Sequence, residues 1–235
     1  MDNQTQWAAI DETFRRAMAC RACFDDGLAE AALIDIAVPR WIGPTYFTAR
    51  PRVLIVALNP GAGNSPEKRK TNAAFLPLLQ KYRDGRETRE VFFAAQKVSM
   101  RQWGTPPGRF SKFYFDRVQG MGVDLDSAAL ANVAWCAAKS NKWSTPMLDR
   151  CFKQHTSRLI SILSPDVAIL SGSGTHRYES SIKRLLPKCK VVCTLHYAHR
   201  EGQDAERTDL ERVRGELASL GNPQFNRTPV PPAGA

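Results

Sequence analysis

Cys20 and Cys23 form a C-x2-C pair, and Cys136 and Cys151 follow far downstream with fourteen residues between them. Four thiolates are the ligand set of a tetrahedral zinc ion or of a four-iron, four-sulfur cluster, and spacing alone does not separate the two. A single C-x2-C near a helix end is also what two buried core cysteines look like. The two further cysteines, one placed just after an apolar run and one on a helix, turn the set into a candidate four-cysteine metal site. Cys189 and Cys193 stand apart from it and complete the six cysteines of the chain. No N-terminal stretch reads as a secretory leader, so all six are expected to be thiols or ligands rather than a disulfide framework.

Three polar residues stand at the ends of short apolar runs. Asn59 follows Arg52 to Leu58 (RVLIVAL), a run rich in branched residues that stops at Asn59-Pro60-Gly61 and reads as a buried strand entering a tight turn. Asn132 lies in a second run, Leu130 to Trp135, and His196 follows a fourth, Lys190 to Leu195; Val167 to Leu170 is the third. Helices separate these runs. One runs from Gln4 to about Cys23, with Trp7, Ile10, Phe14 and Met18 on one face. A second starts at Thr145-Pro146 and ends near Leu163, a third covers about His176 to Leu186, and a charged fourth covers about Ala205 to Leu220. Strands alternating with helices predict an α/β fold: a three-layer αβα sandwich around a central, mainly parallel four-stranded sheet. Ligands of such sheets bind at the carboxyl ends of the strands, where Asn59, Asn132 and His196 fall.

The 235 residues, 43% hydrophobic, suffice for one core, so residues 1–220 are read as one domain; the tail 221–235, with four prolines, is expected to be disordered. Lys+Arg 33 against Asp+Glu 23 gives a net charge of +10, which favours a polyanionic partner such as nucleic acid. Between the first two strands, Lys68-Arg69-Lys70 is the better candidate for phosphate contact. The run Arg101, Trp103, Arg109, Phe110, Lys112, Phe113, Tyr114 interleaves cations with rings and reads either as a base-stacking surface or as an amphipathic helix with its rings in the core. No apolar run reaches the roughly 20 residues of a membrane helix. A cytoplasmic, nucleoid-associated monomer is expected.

A C-x2-C pair on an N-terminal helix, then a strand ending in N-P-G, then N-V-x-x-C and a helix with a fourth cysteine, resembles the iron-sulfur uracil-DNA glycosylases. The matching pieces are Ala19-Cys20-Arg21-Ala22-Cys23, Val53 to Gly61, Asn132-Val133-Ala134-Trp135-Cys136 and Arg150-Cys151. Further on, Leu159 to Gly172 (LISILSPDVAILSG) and Leu195-His196 resemble the family's helix, turn, strand and glycine and its last active-site motif. The likeness spans about Ala19 to Arg200. The Asn59-Pro60-Gly61 turn is closer to that of the mismatch-specific uracil and thymine glycosylases, and His196-Tyr197-Ala198 stands where H-P-S is usual.

The resemblance implies a DNA glycosylase that flips uracil or another deaminated base out of DNA and hydrolyses its N-glycosidic bond in base excision repair. It implies a 4Fe-4S cluster on Cys20, Cys23, Cys136 and Cys151, zinc being the alternative, in a structural role. Asn132 is then the reader of uracil N3–H and O4, Asn59 the group that positions the attacking water, and His196 the donor to O2 of the departing base. Phe75 is the candidate for stacking under the base, with Tyr197 and Arg200 entering the groove and Lys68, Arg69 and Lys70 on phosphates. The altered residues after His196 leave a second reading, a non-catalytic or covalent binder of uracil-containing or damaged DNA on the same fold.

Overall fold

Four of the apolar runs become strands: β1 (Val53–Ala57), β2 (Ala128–Asn132), β3 (Val167–Ser171) and β4 (Lys190–Thr194). The computed structural model that shows them describes residues 2–30, 36–60, 66–102, 118–139, 142–196 and 203–220. The strands form one sheet in the order β2-β1-β3-β4, and every pairing is parallel. All of β2 and β3 is buried, with no alternation along the strand, which requires cover on both faces. Helices supply it, giving a three-layer αβα architecture. They are α1 (Asn3–Ala19), α2 (Ala22–Asp25), α3 (Pro66–Arg83), α4 (Arg89–Gln102), α5 (Thr145–Cys151), α6 (Ser157–Leu163), α7 (Ser173–His176), α8 (Glu179–Leu185) and α9 (Gln203–Ala218).

The chain leaves β1 for β2 on one side and then crosses to β3 on the other. The crevice between β1 and β3 is therefore the topological switch point, where the carboxyl ends of an open parallel sheet diverge and leave room for a ligand. The outer edge of β2 is closed by the extended segment before it: Leu130 N–H donates to the Trp41 carbonyl at 2.7 Å and Gly43 N–H to Ala128 at 2.8 Å. Gly43 is required for this close approach, since a Cβ there would lie 2.1 Å from the Asp126 carbonyl oxygen.

Several boundaries differ from those read in the sequence. The second strand starts and ends earlier, at Ala128 and Asn132; beyond it Val133 and Ala134 turn but still donate to the carbonyls of Ala57 and Leu58, both at 2.9 Å. The apolar run continues to Trp135 because this turn is itself buried, and a buried turn and a buried strand carry the same residue types. The first helix stops at Ala19, where Cys20 is extended, and α2 begins again at Ala22. The third predicted helix is two short ones, α7 and α8, entered through Gly172 at φ 95°. The long stretch after β1 contains two helices, α3 and α4, that periodicity had not placed. Among the described residues no helix is long and apolar enough to cross a membrane.

Candidate functional site

Asn59, Asn132 and His196 all lie at the carboxyl edge of the sheet, as strand ends require. Ala57 pairs with Asn132 across β1 and β2, and the two donations from Val133 and Ala134 carry the pairing on past Asn132. Asn59 is half-buried, and its Nδ2 is a buried donor with no hydrogen-bond partner among the described residues. Asn132 is 2% exposed. Its carboxamide is satisfied with the oxygen facing Arg40 Nε at 2.8 Å and the nitrogen facing the Ala131 carbonyl at 3.3 Å. The same amide stands 3.3 Å from the Pro60 nitrogen, a packing contact only, because a proline nitrogen has no hydrogen to give. The Asn59-Pro60 turn thus closes over Asn132. Each amide end keeps one lone pair or one N–H uncommitted by these contacts.

His196 is exposed and sits over the end of β3. Its place depends on Gly172: a Cβ there would stand 3.1 Å from His196 Cβ and 3.2 Å from Cδ2. The strand that carries it is fastened on both sides. Gly172 N–H donates to the Thr194 carbonyl at 2.8 Å, and His176 Nε2 reaches the same carbonyl at 3.0 Å. On α9, the buried Asp209 accepts from Leu195 N–H, one residue before His196. Replacing Gly172 with Ala imposes a side chain on a left-handed backbone and on the His196 ring together. We expect a loss of about 1–3 kcal/mol in a denaturant titration.

The cysteines form a second centre. Cys20, Cys23, Cys136 and Cys151, drawn from the end of α1, α2, the turn after β2 and α5, line one small pocket that is partly open to solvent. Ala37, Trp135, Met147, Gln154 and His155 complete the wall. Among the described residues no group of three or more His, Cys, Asp or Glu is drawn together to hold a metal ion, so the four thiols share a pocket without converging on a point. Burial pushes the Cys23 and Cys151 thiols above the usual thiol range, with the Arg150 guanidinium opposing it at Cys23. Cys151 Sγ accepts the backbone N–H of Trp135 at 3.2 Å. Arg150 clasps the other wall, donating to the Ala22 carbonyl at 3.0 Å and pairing with Asp26. A soft, all-sulfur donor set with a backbone N–H already aimed at one sulfur suits an iron-sulfur cluster or a thiophilic ion.

The helix from Thr145 to Leu163 is interrupted by a π turn over Phe152–Thr156, immediately after Cys151. His155 lies in that turn, 5% exposed, with neither ring nitrogen hydrogen-bonded among the described residues. Burial, reinforced by Arg16, pushes its imidazole down to about 4, so the ring is neutral at pH 7. Thr156, fully buried, joins the two centres. Its Oγ1 lies 2.8 Å from the Asn132 carbonyl and 3.0 Å from that of Val133, and it accepts from Trp135 Nε1 at 2.9 Å.

The Phe75 ring, half-buried on α3, packs on Phe92 at a centroid distance of 5.6 Å, a core contact. Lys68, Arg69 and Lys70 belong to the N-terminal part of α3. Tyr197, Arg200, the rings from Trp103 to Tyr114 and the tail 221–235 lie outside the described residues. Arg40, Asp209, Thr156 and His155 were not singled out from the sequence. None sits in a motif; only contacts across the fold reveal them. Compared with known proteins, the chain matches no family model and no curated sequence.

Proposed function

We propose that this protein is a DNA glycosylase of the uracil-DNA glycosylase superfamily, acting on uracil or another deaminated base, with a 4Fe-4S cluster on Cys20, Cys23, Cys136 and Cys151. The observation that carries the reading is that four cysteines from four separate segments line one pocket, and that Thr156 ties this pocket to the backbone of Asn132. When bound, the cluster cross-links α1, α2, α5 and the turn after β2, and so holds the Asn132 loop in place. The +10 charge suits a DNA partner.

Hydrolysis of the N-glycosidic bond leaves its electron pair on the base, while water bonds to C1′ and gives its proton to the departing base or to solvent. The Asn132 amide reads the extruded base, its oxygen accepting N3–H and its nitrogen donating to O4. Arg40 matters here, because a guanidinium has no acceptor and therefore holds the amide oxygen toward itself. An amide that cannot flip cannot offer the reversed pattern that cytosine needs. Asn59 holds the attacking water through its unpartnered Nδ2, and His196 donates to O2 as negative charge develops there; an imidazole keeps an N–H in either protonation state.

The test is release of base from labelled single- and double-stranded oligonucleotides carrying uracil, hypoxanthine or xanthine, under single-turnover conditions. Asn132→Asp removes the donor to O4 and is expected to slow uracil excision about 10²-fold or more. Absence of product from every substrate, with binding retained, would establish the non-catalytic binder instead.

A further inference from the structure

A core imidazole with two unpartnered nitrogens is an expensive residue to keep, since each buried polar atom has given up its water without gaining a partner. Among the described residues His155 is such a residue, and its neighbours do not relieve it. Thr156 Oγ1 is engaged with the Asn132 and Val133 carbonyls and with Trp135 Nε1, and Gln154 Oε1 faces Cys20 Sγ at 3.9 Å. What His155 does share is the pocket of the four cysteines. The π turn that carries it begins directly after Cys151, and such turns place a helical side chain where an unbroken α-helix would not.

We propose that His155 donates a hydrogen bond to a sulfur of the cluster held by Cys20, Cys23, Cys136 and Cys151, and thereby sets its reduction potential. This rests on the iron-sulfur reading above. The sulfurs of a reduced cluster carry more negative charge than those of an oxidised one, so an N–H aimed at them favours the reduced state and raises the potential. The Trp135 backbone N–H on Cys151 is already one such donor, and a substitution of side chains leaves it in place. His155 is thus a positioning and tuning residue, not a catalytic one.

The experiment uses the full chain purified without oxygen. Iron and acid-labile sulfide are counted, and the cluster is titrated potentiometrically in the parent protein, His155→Leu and His155→Gln. The loss of the donor in His155→Leu is expected to lower the reduction equilibrium constant about tenfold, ~59 mV for a one-electron couple. His155→Gln keeps an N–H donor and is expected to recover most of that shift. In the dithionite-reduced parent protein, pulsed electron paramagnetic resonance is expected to show one weakly coupled histidine nitrogen, a readout that needs no variant to fold. A loaded cluster with unchanged potential in His155→Leu, or no nitrogen coupling, would overturn the proposal. Strong coupling from a directly ligating imidazole would overturn it too. Colourless parent protein containing zinc would overturn the cluster reading itself, an outcome distinct from the others.

Discussion

Cys151→Ser is expected to yield a colourless protein with iron at background, while Cys189→Ser keeps its iron. Both are buried thiols pushed above the usual thiol range by desolvation. They differ in company. Cys151 faces the pocket with three other cysteines, whereas Cys189 lies outside that pocket, its Sγ near the Lys190 carbonyl at 3.6 Å and the Ala168 backbone N–H. A hydroxyl at 151 is a poor ligand for iron and a more polar group than a thiol to bury, costing about 1–3 kcal/mol beyond the lost cofactor. For a chain of this length that cost alone lowers the melting temperature by about 2–12 °C. Metal analysis beside thermal unfolding checks both parts. Iron retained in Cys151→Ser would remove this cysteine from the ligand set, and equal loss in both variants would mark the colour as adventitious.

Asn59→Leu is expected to separate activity from stability. An unpartnered buried Nδ2 costs free energy in the folded state, so an apolar residue of similar volume is expected to leave the melting temperature unchanged or raise it. Excision, which on our reading needs that amide to hold water in line with C1′, is expected to fall about 10²-fold or more. Residues that serve only to cap a turn behave in the opposite way, losing stability while sparing the reaction. Single-turnover excision and a thermal melt on the same preparation distinguish the two. A less stable but fully active Asn59→Leu would reduce Asn59 to a turn residue.

The strand cores, the βαβ order and the placing of Asn59, Asn132 and His196 at strand ends were legible in the sequence, because burial on both faces leaves unbroken runs of branched residues that stop at turn-formers. The grouping of the cysteines was legible as a possible ligand set, but their sharing of one pocket was not. It depends on the break at Cys20, on α2 and on the π turn after Cys151, features of a residue or two that no periodicity registers. Strand order likewise came only with the fold: each run has the same apolar character, and which neighbours it takes is settled by packing. Arg40 on Asn132, Asp209 beneath Leu195 and Thr156 between the two centres join segments between 14 and 92 residues apart. A sequence records what each residue is able to bond. Its partner is decided by tertiary structure, because a buried polar group must find whichever complement the folded chain brings within reach.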